Sequence, residues 1–310
     1  MVTKPRALRP GDLIGVAAPA GPVDADRLSR GVAELEALGF AVRVTDGVLD
    51  RHGFTAGTLE ARLEQLHGLF ADPEVGAIVC ARGGAGAGRV VAGLAPELVR
   101  RHPKLVVGYS DITWLHLSLG HMGMTSLHGP MAARELAEGE TAYDRASLWH
   151  GLTGDGEPFR SAPGELRALR AGQAEGILRG GCLSILAAAA GTPWALRPAG
   201  EATVLVVEDV DEPPYRVDRM LLQLQASGGL EGVRGVVFGE MKGCAPGLEA
   251  GYTLEEVLLE SLRGFDGPIL LGLSSGHASR PNLTLPLGVP ARIRCGSGEG
   301  EIEVLEAPVS

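Results

Sequence analysis

Along the first half of the chain, short apolar runs of strand length alternate with stretches whose apolar positions recur at helical spacing. Asp12–Ala18 reads as a strand ending in Pro19-Ala-Gly-Pro22, and Asp24–Leu38 as a helix closed by Gly39. Phe40–Thr45 is the second predicted strand and Thr58–Ala71 the second helix, halted near Pro73. Val75–Ala81 is the third strand, followed by the glycine-rich Arg82–Gly88 and a short helix from Arg89; Leu105–Val107 is the fourth strand. This alternation predicts an α/β domain over residues 1–150, built on an open parallel sheet whose ligands lie beyond the carboxyl ends of the strands.

The pattern then changes. Residues 151–172 are rich in Gly, Pro, Arg and short turns, and read as a connection between domains. Over 173–310 the strand-like runs are Ala174–Arg179, Ala202–Glu208, Gly235–Phe238, Pro268–Leu271, Ala291–Cys295 and Glu301–Leu305. Helices are predicted at Leu183–Ala190, Arg216–Ser227 and Thr253–Leu262, so this half is expected to be β-rich and mixed.

Composition narrows the functional classes. A net charge of −10 argues against a nucleic-acid or anionic-membrane surface. Cys80, Cys182, Cys244 and Cys295 lie far apart with no C-x-x-C pair, as expected of buried thiols rather than a disulfide frame or zinc knuckle. The N-terminal residues lack the apolar run of a signal peptide, and no apolar run reaches membrane-spanning length. The expected location is the cytoplasm.

The segment Lys104-Leu-Val-Val-Gly-Tyr-Ser-Asp-Ile-Thr-Trp114 places Ser110 between a strand and a helix marked by Ile112, Leu115, His116 and Leu119. A serine in such a turn lies beside helix N-terminal amides, as an acyl-transfer nucleophile requires. A plainer alternative is that Ser110 and Asp111 simply cap the helix. The loop Arg82-Gly-Gly-Ala-Gly-Ala-Gly88 fits neither nucleotide pattern: Arg89 and Val91 stand where G-x-G-x-x-G needs glycine, and Arg89-Val90 where a P-loop needs Lys-Ser/Thr. Gly83-Gly84 reads either as exposed backbone donors for an oxyanion or as a structural tight turn.

His116, His121 and His128 match no zinc spacing; His128 is kept as a group supporting the site. Glu208 ends an apolar strand where a carboxylate can orient an imidazole, and His277 sits in a Gly/Ser/Pro loop. Ser110, Glu208 and His277 follow the Ser…Glu…His order of α/β-hydrolases, yet Ile112 stands where that fold wants glycine and no His-Gly-Gly-Gly segment is present.

Several blocks together resemble the LD-carboxypeptidases, serine peptidases that include murein tetrapeptide carboxypeptidases and microcin-C self-immunity peptidases. The blocks are Gly11–Pro19, Ala81–Gly84, Gly108–Thr113, His128–Met131, Glu208–Arg216 and Gly276-His277 with Pro281–Gly288. The resemblance implies a flavodoxin- or Rossmann-like first domain and a β-rich, swivelling β/β/α-like second domain, a homodimer, and no metal or other cofactor. It implies Ser110 as nucleophile, His277 as general base, Glu208 as its orienting carboxylate, and the amides of Gly84 and Asp111 as the oxyanion hole. Beside what the resemblance implies, Arg82, Gly83, His128 and Asp209 are candidate substrate contacts, and the acidic Asp209, Asp211 and Glu212 are candidates to hold a substrate's free ammonium group. The chain departs from many relatives at Ala85, where they carry an aromatic, and at Cys182, where they carry Asn.

The expected activity is release of the terminal D-Ala of a murein tetrapeptide, a small peptide substrate. The alternatives are hydrolysis of peptidyl or aminoacyl nucleotides, for which Trp149 and Phe159 are the few aromatics near the connection, and a non-catalytic two-domain binding protein.

Overall fold

The computed structural model describes residues 2–162, 164–198, 200–247 and 249–310. The chain opens with β1 (Leu13–Ala17), α1 (Ala25–Ala37), β2 (Ala41–Val44), α2 (Leu59–Ala71) and β3 (Val75–Cys80). It continues through α3 (Ala87–Gly93), α4 (Pro96–Arg101), β4 (Leu105–Gly108), α5 (Thr113–His121), β5 (Ser126–His128) and α6 (Arg145–Thr153). Asp24 and Thr58 cap α1 and α2 by accepting from the amides of Arg27 and Ala61, which gives both helices the starts expected from sequence. Then follow β6 (Leu166–Arg170), β7 (Gly172–Cys182), α7 (Leu183–Ala189), β8 (Thr203–Glu208), α8 (Pro214–Ala226), β9 (Val233–Gly239), α9 (Leu254–Ser261) and β10 (Ile269–Leu273). The last strands are β11 (Leu285–Leu287), β12 (Pro290–Cys295) and β13 (Glu299–Val304).

Two compact units result. The first comprises residues 1–157, 280–288 and 307–310; the second comprises 158–279 and 289–306. In the first, strand order is β11-β5-β4-β3-β1-β2, parallel except for β11 against β5. All six residues of β3 are buried, which suits a central strand covered on both faces. Full burial of each Val or Ile there contributes roughly 1.5–3 kcal/mol. The order in which strands are added to the sheet reverses between β1 and β3, so the loops leaving those two strands flank the switch point where such sheets bind ligands.

The second unit is a closed barrel, β10-β6-β13-β12-β7-β8-β9. Strands β7, β8, β9 and β10 run parallel, joined in turn through α7, α8 and α9, while β6, β12 and β13 pair antiparallel. The fold class is thus the expected one: α/β, with a mostly parallel first sheet and a mixed β-barrel.

The boundaries differ from expectation. Residues 151–153 finish α6, the division falls between Glu157 and Pro158, and Leu166–Arg170 is a barrel strand rather than connection. Its Leu166 is fully buried, so five residues of strand lie within the turn-rich composition. The span 173–310 is also not one continuous domain, because 280–288 adds β11 to the first sheet. No helix among the described residues is long and apolar enough to cross a membrane.

Candidate active site

In the first unit, the turn after β4 is the unusual feature. Ser110 has φ +64°, one of three non-glycine residues with positive φ among the described residues. That conformation costs of order 1–3 kcal/mol and persists only where its surroundings impose it. Ser110–Ile112 form a single 3-10 turn that leads into α5, with the Ile112 amide donating to Tyr109 O at 3.2 Å. The result is a strand, a strained serine and a helix start, the geometry that lifts a nucleophile above a sheet.

The loop after β3 is pressed against this serine. A Cβ at Gly83 would lie 2.8 Å from Ser110 Cβ and 3.0 Å from its Oγ, so only glycine fits. Gly83 O also accepts from the Gly21 amide at 3.0 Å, and Arg82 Nη1 donates to Pro22 O at 3.1 Å. These bonds tie the β3 loop to the β1 loop at the switch point. Burial lowers the pKa of the half-buried Arg82 guanidinium, and the nearby charges of Arg134 and Arg27 lower it further. Three guanidinium groups thus share one neighbourhood, and the buried Nε of Arg82 has no hydrogen-bond partner among the described residues.

Asp111 works by its side chain as well as its place in the chain. Its buried Oδ2 accepts from the Ala87 amide at 2.8 Å, which fixes the start of α3 to the serine turn. Burial pushes its carboxyl up to about 6, opposed by the Ala87 amide and the Arg62 charge. The helix therefore begins at Ala87 rather than at Arg89, because its cap comes from a residue distant in sequence.

Arg62, which sequence reading passed over, holds the same region together. Its Nη1 donates to Pro19 O and Gly86 O, both at 2.9 Å, and Nε donates to Thr58 O at 3.3 Å. The side chain is 3% exposed. The signal lay in periodicity: Leu59, Arg62, Leu66 and Leu69 share one helical face, and a charge there needs buried acceptors.

His116 and His128 are both buried. His116 Nε2 donates to Gly108 O at 2.8 Å, so Nδ1 accepts from Ser126 Oγ at 2.9 Å. Burial drives its pKa down to about 3, and the ring is neutral. It locks the end of β4 to β5. His128 is the register partner of Gly108 on β5, and its ring lies 6.0 Å from that of Tyr109.

The second unit holds Glu208 and His277. Glu208 is the last residue of the fully buried β8. Its Oε2 accepts from His277 Nδ1 at 2.8 Å and from the His277 backbone amide at 2.9 Å. Donation from Nδ1 leaves Nε2 as the ring nitrogen able to accept a proton. Gly276, at φ +88°, makes this possible, since a Cβ there would lie 2.4 Å from Glu208 Cδ.

Asp209 follows Glu208 at the end of β8. Its Oδ2 accepts from the Ser184 amide at 2.7 Å and its Oδ1 from its neighbour Val210 N at 2.9 Å. Both oxygens of this buried carboxylate are spent on backbone donors at the start of α7. It caps the start of α7. Asp211 is exposed and Glu212 half-buried.

Comparison with known proteins identifies a family and a shared fold. The family model of the LD-carboxypeptidase N-terminal domain matches residues 14–129, and that of the LD-carboxypeptidase C-terminal domain matches residues 175–293. The chain is 37% identical to a probable murein peptide carboxypeptidase of Bacillus subtilis, over 99% of this chain and 95% of that protein. Among solved structures, muramoyltetrapeptide carboxypeptidase from Oxalobacter formigenes is similar with TM-score 0.84 and 29% identity, over 96% of this chain and 100% of the other. MccF in complex with glutamyl sulfamoyl guanosine shares the fold with TM-score 0.84 at 23% identity, over 99% of each chain.

Proposed function

The chain belongs to the LD-carboxypeptidase family, and we propose that it is a serine carboxypeptidase that releases the terminal D-Ala of murein tetrapeptide during cell-wall recycling. The observation that carries this reading is the left-handed backbone of Ser110 at the strand–helix turn, where a non-glycine residue is held at an energetic cost. An ordinary helix cap needs no such strain.

In this reading His277 Nε2 takes the Ser110 hydroxyl proton as Oγ attacks the carbonyl carbon of the L–D amide. The amides of Gly84 and Asp111 receive the charge that develops on the carbonyl oxygen. The C–N bond breaks, His277 returns the proton to the departing D-Ala amine, and water then hydrolyses the acyl-enzyme. Glu208 holds the ring in the working tautomer and stabilises the imidazolium. Arg82, in its cluster of guanidinium groups, is suited to the free carboxylate that marks a C-terminal residue. Gly83 shapes the cleft beside the serine, and His128 supports it from β5. Asp211 and Glu212 remain the acids for a diamino-acid ammonium.

A cytoplasmic homodimer completes the proposal. All four cysteines are free thiols, as a reducing compartment allows, and light scattering reads the dimer directly. A nucleotide substrate is the weaker alternative: Trp149 packs on Phe40 with ring centroids 5.7 Å apart, so it serves the core rather than a base.

The test is a substrate panel read by mass spectrometry. The tetrapeptide ending in D-Ala should lose one alanine, while its L-Ala epimer and an aminoacyl sulfamoyl adenylate should not. Cleavage of the adenylate alone would overturn the reading.

A further inference from the structure

Cys182 and Glu208 are register partners at the ends of adjacent parallel strands, β7 and β8. The His277 ring leans on the same carboxylate, and the three ligand-capable atoms all lie within 4.8 Å of one another. Cys182 and Glu208 are buried, whereas the His277 side chain is 17% exposed, which leaves a route for a small ion. From this geometry we propose that Cys182, Glu208 and His277 form an inhibitory site for a soft divalent cation such as Zn2+.

Thiolate, carboxylate and imidazole are the donor types zinc takes, and sulfur favours Zn2+ or Cd2+ over Mg2+ or Ca2+. Around zinc, bond lengths of about 2.0–2.3 Å bring ligand atoms to roughly 3.3–3.8 Å of one another, so small side-chain rotations suffice. Charge also favours the complex. The cation with one thiolate and one carboxylate is neutral, which suits a buried position better than either anion alone.

Binding releases the Cys182 thiol proton to solvent and shifts the His277 proton from Nδ1 to Nε2, while Glu208 binds as the anion it already is. Burial, followed by the charges of Glu208 and Asp209, pushes the thiol pKa up.

The inhibitory half of the proposal rests on the catalytic reading above. With the metal on Nδ1, Nε2 carries a hydrogen and cannot take a proton from Ser110, and Glu208 no longer orients the ring. This chain would thus carry a metal-sensitive brake.

The test titrates Cd2+ into purified full-length protein and follows the ultraviolet thiolate-to-cadmium charge-transfer band, beside Cys182→Ser. Cys80, Cys244 and Cys295 remain in the variant and serve as the internal control. Circular dichroism checks that it folds. Wild type should bind one Cd2+ with a clear band; Cys182→Ser should show none. Zn2+ should inhibit D-Ala release by wild type at concentrations at least about tenfold below those needed for the variant. No band, or the same band in both proteins, would overturn the site. A Cys182-dependent band without inhibition would support the site and remove His277 from catalysis.

Discussion

Replacing Glu208 by Gln separates two tasks of one carboxylate. Oε2 accepts from both the His277 amide, at 2.9 Å, and Nδ1, at 2.8 Å. In Glu208→Gln, an NH2 at that position would face a backbone N–H that cannot change its role. Leaving that buried donor unmet costs about 1–3 kcal/mol, so the glutamine should seat its oxygen there. The ring then keeps its Nδ1 hydrogen and its working tautomer; only the negative charge is lost. Hydrogen bonds to charged groups exceed neutral ones by about 1–2 kcal/mol, and burial raises the loss on a forming imidazolium to about 2–3 kcal/mol. At 1.36 kcal/mol per decade, kcat should fall roughly 30- to 200-fold. In the serine-protease precedent, where the amide imposes the wrong tautomer, the loss is about 10⁴-fold. Glu208→Ala, which removes charge and tautomer control together, should lose more than Glu208→Gln. The assay is the initial rate of D-Ala release at saturating tetrapeptide. A fall of 10⁴-fold in Glu208→Gln, or equal falls in the two variants, would refute the backbone amide as the group that sets the orientation.

Gly83→Ala would press a methyl to within 2.8 Å of Ser110 Cβ; kcat should fall at least about a hundredfold through misplacement of the serine, and overpacking should cost about 1–3 kcal/mol in urea unfolding. Arg62→Met leaves buried carbonyls of Pro19 and Gly86 without their donor; a loss of about 2–4 kcal/mol is expected in urea unfolding, with activity falling as the loops loosen. Burial raises the folded pKa of Asp111 to about 6, above the ordinary aspartate value of 3.8. The folded state therefore binds more protons than the unfolded state between those values, and its stability falls as pH rises through them. The full effect is about 3 kcal/mol. Asp111→Asn should thus gain stability relative to wild type on going from about pH 4 to about pH 8; a difference in melting temperature that does not move with pH would contradict this.

The sequence carried much of this because local chemistry decided it. β1 to β4 are apolar runs long enough to stand out, and Asp24, Thr58 and Thr253 mark helix starts with their own side chains. Ser110, Glu208 and His277 lie where strands end, so their positions could be read from the runs before them. What escaped notice depends on partners distant in sequence. β5 and β11 have three residues each and exist as strands only because they pair with each other and with β4. The start of α3 is set by Asp111, twenty-four residues on, and no local residue announces it. The acids after β8 looked alike in sequence; only the fold shows that Asp209 is consumed by α7. The passage of 280–288 into the first sheet leaves no compositional trace, since β11 is as apolar as a barrel strand would be.

The most direct measurement is covalent. Wild type and Ser110→Ala are each treated with a fluorophosphonate and, separately, assayed by mass spectrometry for alanine release from murein tetrapeptide. The account predicts a single adduct on the peptide containing Ser110, and turnover lowered on the order of a millionfold in the variant. An adduct on another residue, or a Ser110→Ala protein that still releases D-Ala at a substantial rate, would contradict it.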